Sequence, residues 1–289
     1  MGAPVCADEQ PDCLPEIPGT FPEAHLFGLE PNFGCCTANF GQAWPKLALS
    51  AFLYREDTVL SAVPIPCELR TDRLSVALRT NYPFENEFLY TVQAREAFRL
   101  RVRIPSFARN LKVNGVPTDS TGEIDFTFEA GTDTQIRISY ETAIELAERP
   151  HQLHCVKCGS LVFSIPIAYE KRMLVYVRDG VERKFPYCDY EYVGTSEWRY
   201  GYVGDRFEIR RHPVGEIPFA SDNPPVTVQT EVQKIDWDYE DGFETVCAKK
   251  PVSAVPLGEK ESIELYPYGC AKLRMTEVPL IPAGNLSRA

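Results

Sequence analysis

From Phe98 to Ile104 the chain reads Phe-Arg-Leu-Arg-Val-Arg-Ile, an unbroken alternation of apolar and charged residues. Wound into a helix, that run would scatter its apolar groups around the cylinder. Extended, it gathers Phe98, Leu100, Val102 and Ile104 on one face and Arg99, Arg101 and Arg103 on the other. The same period of two returns at Ile124, Phe126 and Phe128, and again at Ile136, Ile138 and Tyr140. Asn114-Gly115 falls between two short apolar runs, which is the strongest short-range hairpin signal. Residues 59–148 are therefore expected to form an antiparallel meander folded into one sandwich. Beyond Arg149-Pro150, read as a boundary, runs such as "SLVFSIPI", "MLVYVR" and "PVTVQTEVQKIDW" continue the pattern. They predict a second sandwich with longer loops. The expected fold class is mainly β, with two antiparallel, jelly-roll-like sandwich modules.

The front of the chain has a different period. Phe40, Ala43, Trp44, Leu47, Ala48, Ala51 and Phe52 recur at helical spacing, which predicts an amphipathic helix over 37–54 that ends before Glu56-Asp57. Pro45 should kink that helix or sit in its first turn. Residues 1–34 are rich in Pro and Gly and lack periodicity. The expected organisation is 1–57, 58–149 and 150–289, the first being the end of a larger helical domain. One amphipathic helix with nothing to pack against makes the chain look cut at its front.

A net charge of −11 and a pI of about 5.0 argue against a nucleic-acid surface, which needs an excess of Lys and Arg. The first thirty residues show neither the basic nor the apolar region of a signal peptide, and the apolar run around "GSLVFSIPIA" is too short to span a bilayer. A cytoplasmic protein that engages neither membrane nor nucleic acid is expected. In such a compartment most of the ten cysteines should be buried thiols. The sequon at Asn285 carries little weight there.

Three groups of residues could carry chemistry. Cys35-Cys36 follows Gly34 at the mouth of the helix. It reads either as a zinc thiolate pair, supplying two of about four ligands, or as two buried thiols in a tight turn. His151, His154, Cys155 and Cys158 in "HQLHCVKCG" could bind metal or form a redox pair. If that segment is a strand, however, the two cysteines point to opposite faces. The aromatic run from Tyr187 to Tyr202, with Trp237 and Tyr239, is mainly expected to pack cores, and Trp198 and Tyr200 are its candidates for stacking on a sugar. His212 is read as a surface residue. Phosphate-loop, dinucleotide, zincin and serine-hydrolase signatures are absent, and no acidic pair marks an ordinary two-carboxylate glycosidase.

"LFGLEPNFGCCTANFGQAWPKL", followed in order by "FRLRVRIPSFA", "GSLVFSIPI", "SEWRYGY" and "YPYGCAKLRMTEVPL", resembles glycoside hydrolase family 127, the β-L-arabinofuranosidase-like proteins. The resemblance runs over roughly residues 25 to 280. It implies an α/α barrel followed by two β-sandwiches, with 1–57 as the barrel's last part. It also implies that Cys35 is both nucleophile and zinc ligand, that Cys36 is a zinc ligand, and that the reaction retains configuration through a thioglycosyl intermediate on an arabinofuranoside-like substrate.

This chain departs from the family pattern at Thr37-Ala38, where many members have Pro-Pro. The family's Glu-x-Cys zinc ligands and its acid/base Glu precede the thiol pair by several tens of residues. The 34 residues before Cys35 hold Cys6 and Cys13 but no Glu-x-Cys. The expectation is a C-terminal portion, inactive alone and completed by an upstream barrel polypeptide. The alternative is a non-catalytic sandwich module that binds carbohydrate or forms a homodimer.

Overall fold

The computed structural model describes residues 26–27, 39, 41–178, 180–186, 188–240 and 247–281. In chain order these form β1 (Leu26–Phe27), α1 (Ala43–Leu49), β2 (Phe52–Arg55), β3 (Thr58–Ser61), β4 (Cys67–Arg70), β5 (Leu74–Arg79), β6 (Glu87–Ala94), β7 (Phe98–Arg103), β8 (Arg109–Val113), β9 (Val116–Pro117), β10 (Glu123–Phe128) and β11 (Asp133–Glu141). There follow β12 (Ile144–Arg149), β13 (Leu153–Cys158), β14 (Leu161–Ile167), β15 (Tyr169–Leu174), β16 (Tyr176–Arg178), β17 (Val181–Arg183), β18 (Asp189–Gly194), β19 (Tyr200–Arg211), β20 (Val226–Lys234), β21 (Glu261–Pro267), β22 (Leu273–Met275) and β23 (Val278–Pro279). The protein is mainly β, and α1 is the one α-helix among the described residues. No helix among them is long and apolar enough to cross a membrane.

The chain divides into two compact units, one of residues 30–143 and one that joins 144–289 to the segment carrying β1. In the first, a four-stranded sheet (β10-β7-β3-β2) faces a six-stranded sheet (β4-β5-β6-β11-β8-β9). The alternation read from the sequence sets what lies between them. Phe98, Leu100 and Val102 of β7 and Phe128 of β10 pack against Phe88, Tyr90 and Val92 of β6 and Ile136 and Ile138 of β11. The Ser61 and Tyr90 hydroxyls, one from each sheet, meet at 2.8 Å inside this core, which spares both the cost of an unpaired buried polar group. Asn114 and Gly115 make the β8–β9 turn with φ of 49° and 81°, the left-handed pair that a two-residue hairpin favours.

Two expectations change here. The strands are not a plain meander, because the chain crosses between the sheets after β3, β6, β7, β9 and β10, and β3 lies parallel to β7. The helix is also shorter than 37–54. It ends at Leu49, and Phe52–Arg55 is a strand paired with Thr58–Ser61. Pro45 sits in the first turn of α1, where its missing N–H costs nothing.

The second unit has an eight-stranded sheet whose main path is β12-β13-β14-β21-β20-β19, with β22 on β14 and β23 on β13. β23 pairs with β13 while the adjoining Leu280 bridges Tyr202 of β19, so the sheet curls nearly closed. The boundary expected at Arg149-Pro150 moves forward. β12 pairs with β13 through the turn Pro150–Gln152, where His151 and Gln152 take positive φ, so Arg149-Pro150 lies inside a hairpin of the second unit. A three-stranded sheet, β1-β18-β15, and a small hairpin, β16-β17, complete this unit. Leu26–Phe27, expected to belong to a helical front domain, pairs with β18 instead.

Candidate active site

Cys35 and Cys36 lie outside the described residues, as do Cys6, Cys13 and the sequon at Asn285. Asn39, which closes the Cys-Cys-Thr-Ala-Asn segment, is exposed, and its backbone carbonyl accepts a 3.1 Å hydrogen bond from the Gln42 N–H just ahead of α1. α1 has no buried residue, and Trp44 and Leu49 are 69% and 79% exposed. Of the apolar stripe that predicted the helix, Ala43, Trp44 and Ala48 are exposed, Leu47 is half-buried, and Ala51, just beyond the helix, is buried.

The "HQLHCVKCG" segment is strand β13 and its lead-in turn. Cys155 and Cys158 are both buried, and their odd separation along the strand puts them on opposite faces. Burial, together with the nearby Glu277 carboxylate, pushes the Cys155 thiol above its ordinary value. That is the reverse of what a reactive thiolate needs. Burial likewise raises Cys270 to about 11. Of the six cysteines outside disulfides among the described residues, only Cys67 is not buried, in keeping with cysteine used as a small apolar residue. No cluster of three or more His, Cys, Asp or Glu that could hold a metal occurs among the described residues. Cysteine thiolates are ordinary zinc ligands, and the two cysteines expected to bind the metal, Cys35 and Cys36, lie outside the described residues.

Trp198 and Tyr200, the aromatic candidates for sugar contact, are 5% and 6% exposed. Trp198 packs edge-on against Trp237 at 5.9 Å and tilted against Tyr239 at 5.3 Å, and its Nε1–H donates to the Tyr239 hydroxyl at 3.3 Å. The Tyr200 hydroxyl donates to the Glu261 carboxylate at 3.1 Å. Both rings are used in packing, and neither offers the open face that stacking on a sugar requires.

One concave feature had no signal in the sequence. Asn110, Lys112, Thr118, Asp119 and Glu141 line an open groove of about 560 Å³ beside β8 and β9. Asn110, at φ 51°, donates through Nδ2 to the Glu141 carboxylate at 2.6 Å. The two residues meet because the register of β11 against β8 shifts between Ser139 and Glu141, a bulge that leaves no mark in the residue pattern.

Neither family models nor curated proteins give a match to this chain. Solved structures do. The chain has the fold of part of a GH127 β-L-arabinofuranosidase. A GH127 β-L-arabinofuranosidase from Geobacillus stearothermophilus T6 superposes over 85% of this chain and 36% of its own, with a TM-score of 0.53 and 17% identity. A protein described as a glycoside hydrolase gives 86%, 40%, 0.54 and 20% for the same quantities. The GH127 β-arabinofuranosidase BT3674 gives 85%, 38%, 0.53 and 15%. The chain therefore spans 36–40% of the length of these structures. This GH127-like fold agrees with the resemblance carried by the Cys-Cys segment and the strand motifs.

Proposed function

We propose that this chain is the C-terminal portion of a retaining glycoside hydrolase of the GH127 type, acting on an arabinofuranoside-like carbohydrate. The observation that carries the proposal is the likeness of fold over 85% of the chain to a β-L-arabinofuranosidase. The Cys35-Cys36-Thr37-Ala38-Asn39 segment, placed ahead of that fold, adds to it. In this reading the Cys35 thiolate attacks the anomeric carbon as the leaving oxygen departs with a proton from an acid elsewhere in the complete enzyme. Water then displaces the sulfur, and the two displacements together retain configuration. Cys36 holds its thiolate beside Cys35. A zinc ion bound by both would keep them deprotonated at neutral pH.

In this reading the chain alone turns over no glycoside, because half of the zinc ligands and the acid are carried by an upstream helical barrel. The exposed Trp44 and Leu49 of α1 support that part of the proposal, since both are large apolar side chains that an adjoining helical domain would cover. The test is hydrolysis of an aryl β-L-arabinofuranoside. The purified 289-residue chain should be inactive. Co-expression with a barrel polypeptide that carries Glu-x-Cys should bring stoichiometric zinc and activity, and Cys35→Ser should remove the activity. Robust turnover by the lone chain overturns the split between pieces, and full activity of the Cys35→Ser complex overturns the nucleophile.

A further inference from the structure

The groove beside β8 and β9 holds none of the residues assigned to catalysis, yet its rim has a definite chemistry. Asn110 and Lys112 stand exposed on β8, on either side of the buried Leu111, and Lys112 lies opposite Pro117 of β9. Asp119 and Glu141 complete the rim. Lys112 and Asp119 have no side-chain partner among the described residues. Glu141 accepts from the Asn110 amide through Oε2 alone, and its Oε1 takes no hydrogen bond among the described residues. One hollow is thus ringed by a group that only donates, Lys112, and by two carboxylates that only accept.

Few ligands suit all three groups at once. A cation would be repelled by the Lys112 ammonium, an anion by two carboxylates, and a hydrocarbon would strip water from every charge. A hydroxyl both donates and accepts. A neutral ligand with several hydroxyls can therefore donate to Asp119 and Glu141 while it accepts from Lys112. Leu111 and Pro117 add apolar surface on which the C–H face of a sugar ring can lie. At about 560 Å³ the groove falls within the size range of small-ligand sites. Because it is open, it suits a length of chain laid along it better than an enclosed single ring.

We infer that this groove is a binding subsite for a neutral oligosaccharide, with Lys112, Asp119 and Glu141 as its hydrogen-bonding groups. That the ligand is a saccharide follows from the groove's own chemistry; that its sugar is an arabinofuranoside rests on the function proposed above. In the complete enzyme, a second hold on a polymeric substrate raises the local concentration of its ends.

The test is a titration of the isotope-labelled 289-residue chain with an L-arabinofuranosyl triose, xylotriose and cellotriose in separate series, followed through the backbone amide signals of Lys112 and Asp119. At least one series should shift these signals to saturation. Lys112→Ala and Asp119→Ala remove side chains that hold nothing else in the fold, so each should keep the native spectrum and melting temperature and weaken binding by about tenfold. Asp119→Asn keeps an acceptor oxygen and should retain most of the affinity, which a cation held by charge would not. Saturable shifts with xylotriose or cellotriose but not with the arabinofuranosyl triose support the subsite and count against the arabinofuranoside reading. Silence from all three trioses, binding unchanged in both alanine variants, or shifts only with the zwitterion glycylglycine overturns the subsite.

Discussion

Tyr90, Tyr140, Tyr200 and Tyr202 are buried phenols, and burial is the main cause that raises each of them. Tyr200 is pushed up to about 12, with its hydrogen bond to Glu261 adding to burial. In the unfolded chain all four titrate near 10. Their folded values are the higher ones, so the stability they contribute is complete below pH ~10 and is lost as pH rises through the folded values. The urea midpoint should be flat from neutral pH to about 10 and fall steeply beyond it, and Tyr200→Phe should soften that fall. A midpoint that stays level well above pH 10 would contradict the assignment. Sequence showed these residues as aromatic and alternating but could not show how deeply each is covered. Trp198 and Tyr200 were therefore legible as a pair, while their partners Trp237, Tyr239 and Glu261 come from strands and loops far along the chain.

Among the elements, β19 and β23 show what close backbone approach demands. A Cβ at Gly201 would lie 2.9 Å from Ile281 Cγ1 and 3.2 Å from the Pro279 carbonyl oxygen. Gly201→Ala should cost about 1–3 kcal/mol, whereas Gly258→Ala, which meets open space, should stay within about 0.5 kcal/mol. Paired urea melts check both, and equal midpoints for the two variants would refute the close packing. Elements with a regular pattern, β7, β10 and β11, were readable because each strand keeps one face buried. β2 was not. Phe52, Leu53 and Tyr54 fit a helical stripe as well as a strand, and the turn that makes them a strand uses Glu56 at φ 58°, a residue that carries no turn signal. The parallel β3–β7 pair was equally hidden, since it joins residues far apart whose patterns say nothing about neighbours.

For the molecule as a whole, the buried core between the two sheets of the first unit is built from residues between Val59 and Tyr140, with Phe52 packed against it. A fragment of residues 50–143 should therefore fold alone and unfold cooperatively in urea with a β-type circular dichroism spectrum. A non-cooperative, sloping transition would show that the unit depends on the rest of the chain. The architecture and likeness to GH127 structures were legible because strand order survives when most residues have changed. The candidate site was legible only as the Cys-Cys motif. That motif lies outside the described residues, and a motif gives residue types without the geometry that would test them.

The closing strand of the second unit sets a timetable for synthesis. Pro279 pairs with Leu153, and Leu280 bridges Tyr202, so two distant stretches wait for the same late segment. Proteins that emerge from the ribosome fold unit by unit as each becomes complete. The first sandwich has all its strands by Glu141 and can be finished while translation continues. The second must stay open-edged until its latch emerges, and this leaves the newborn second unit more dependent than the first on protection from neighbouring chains.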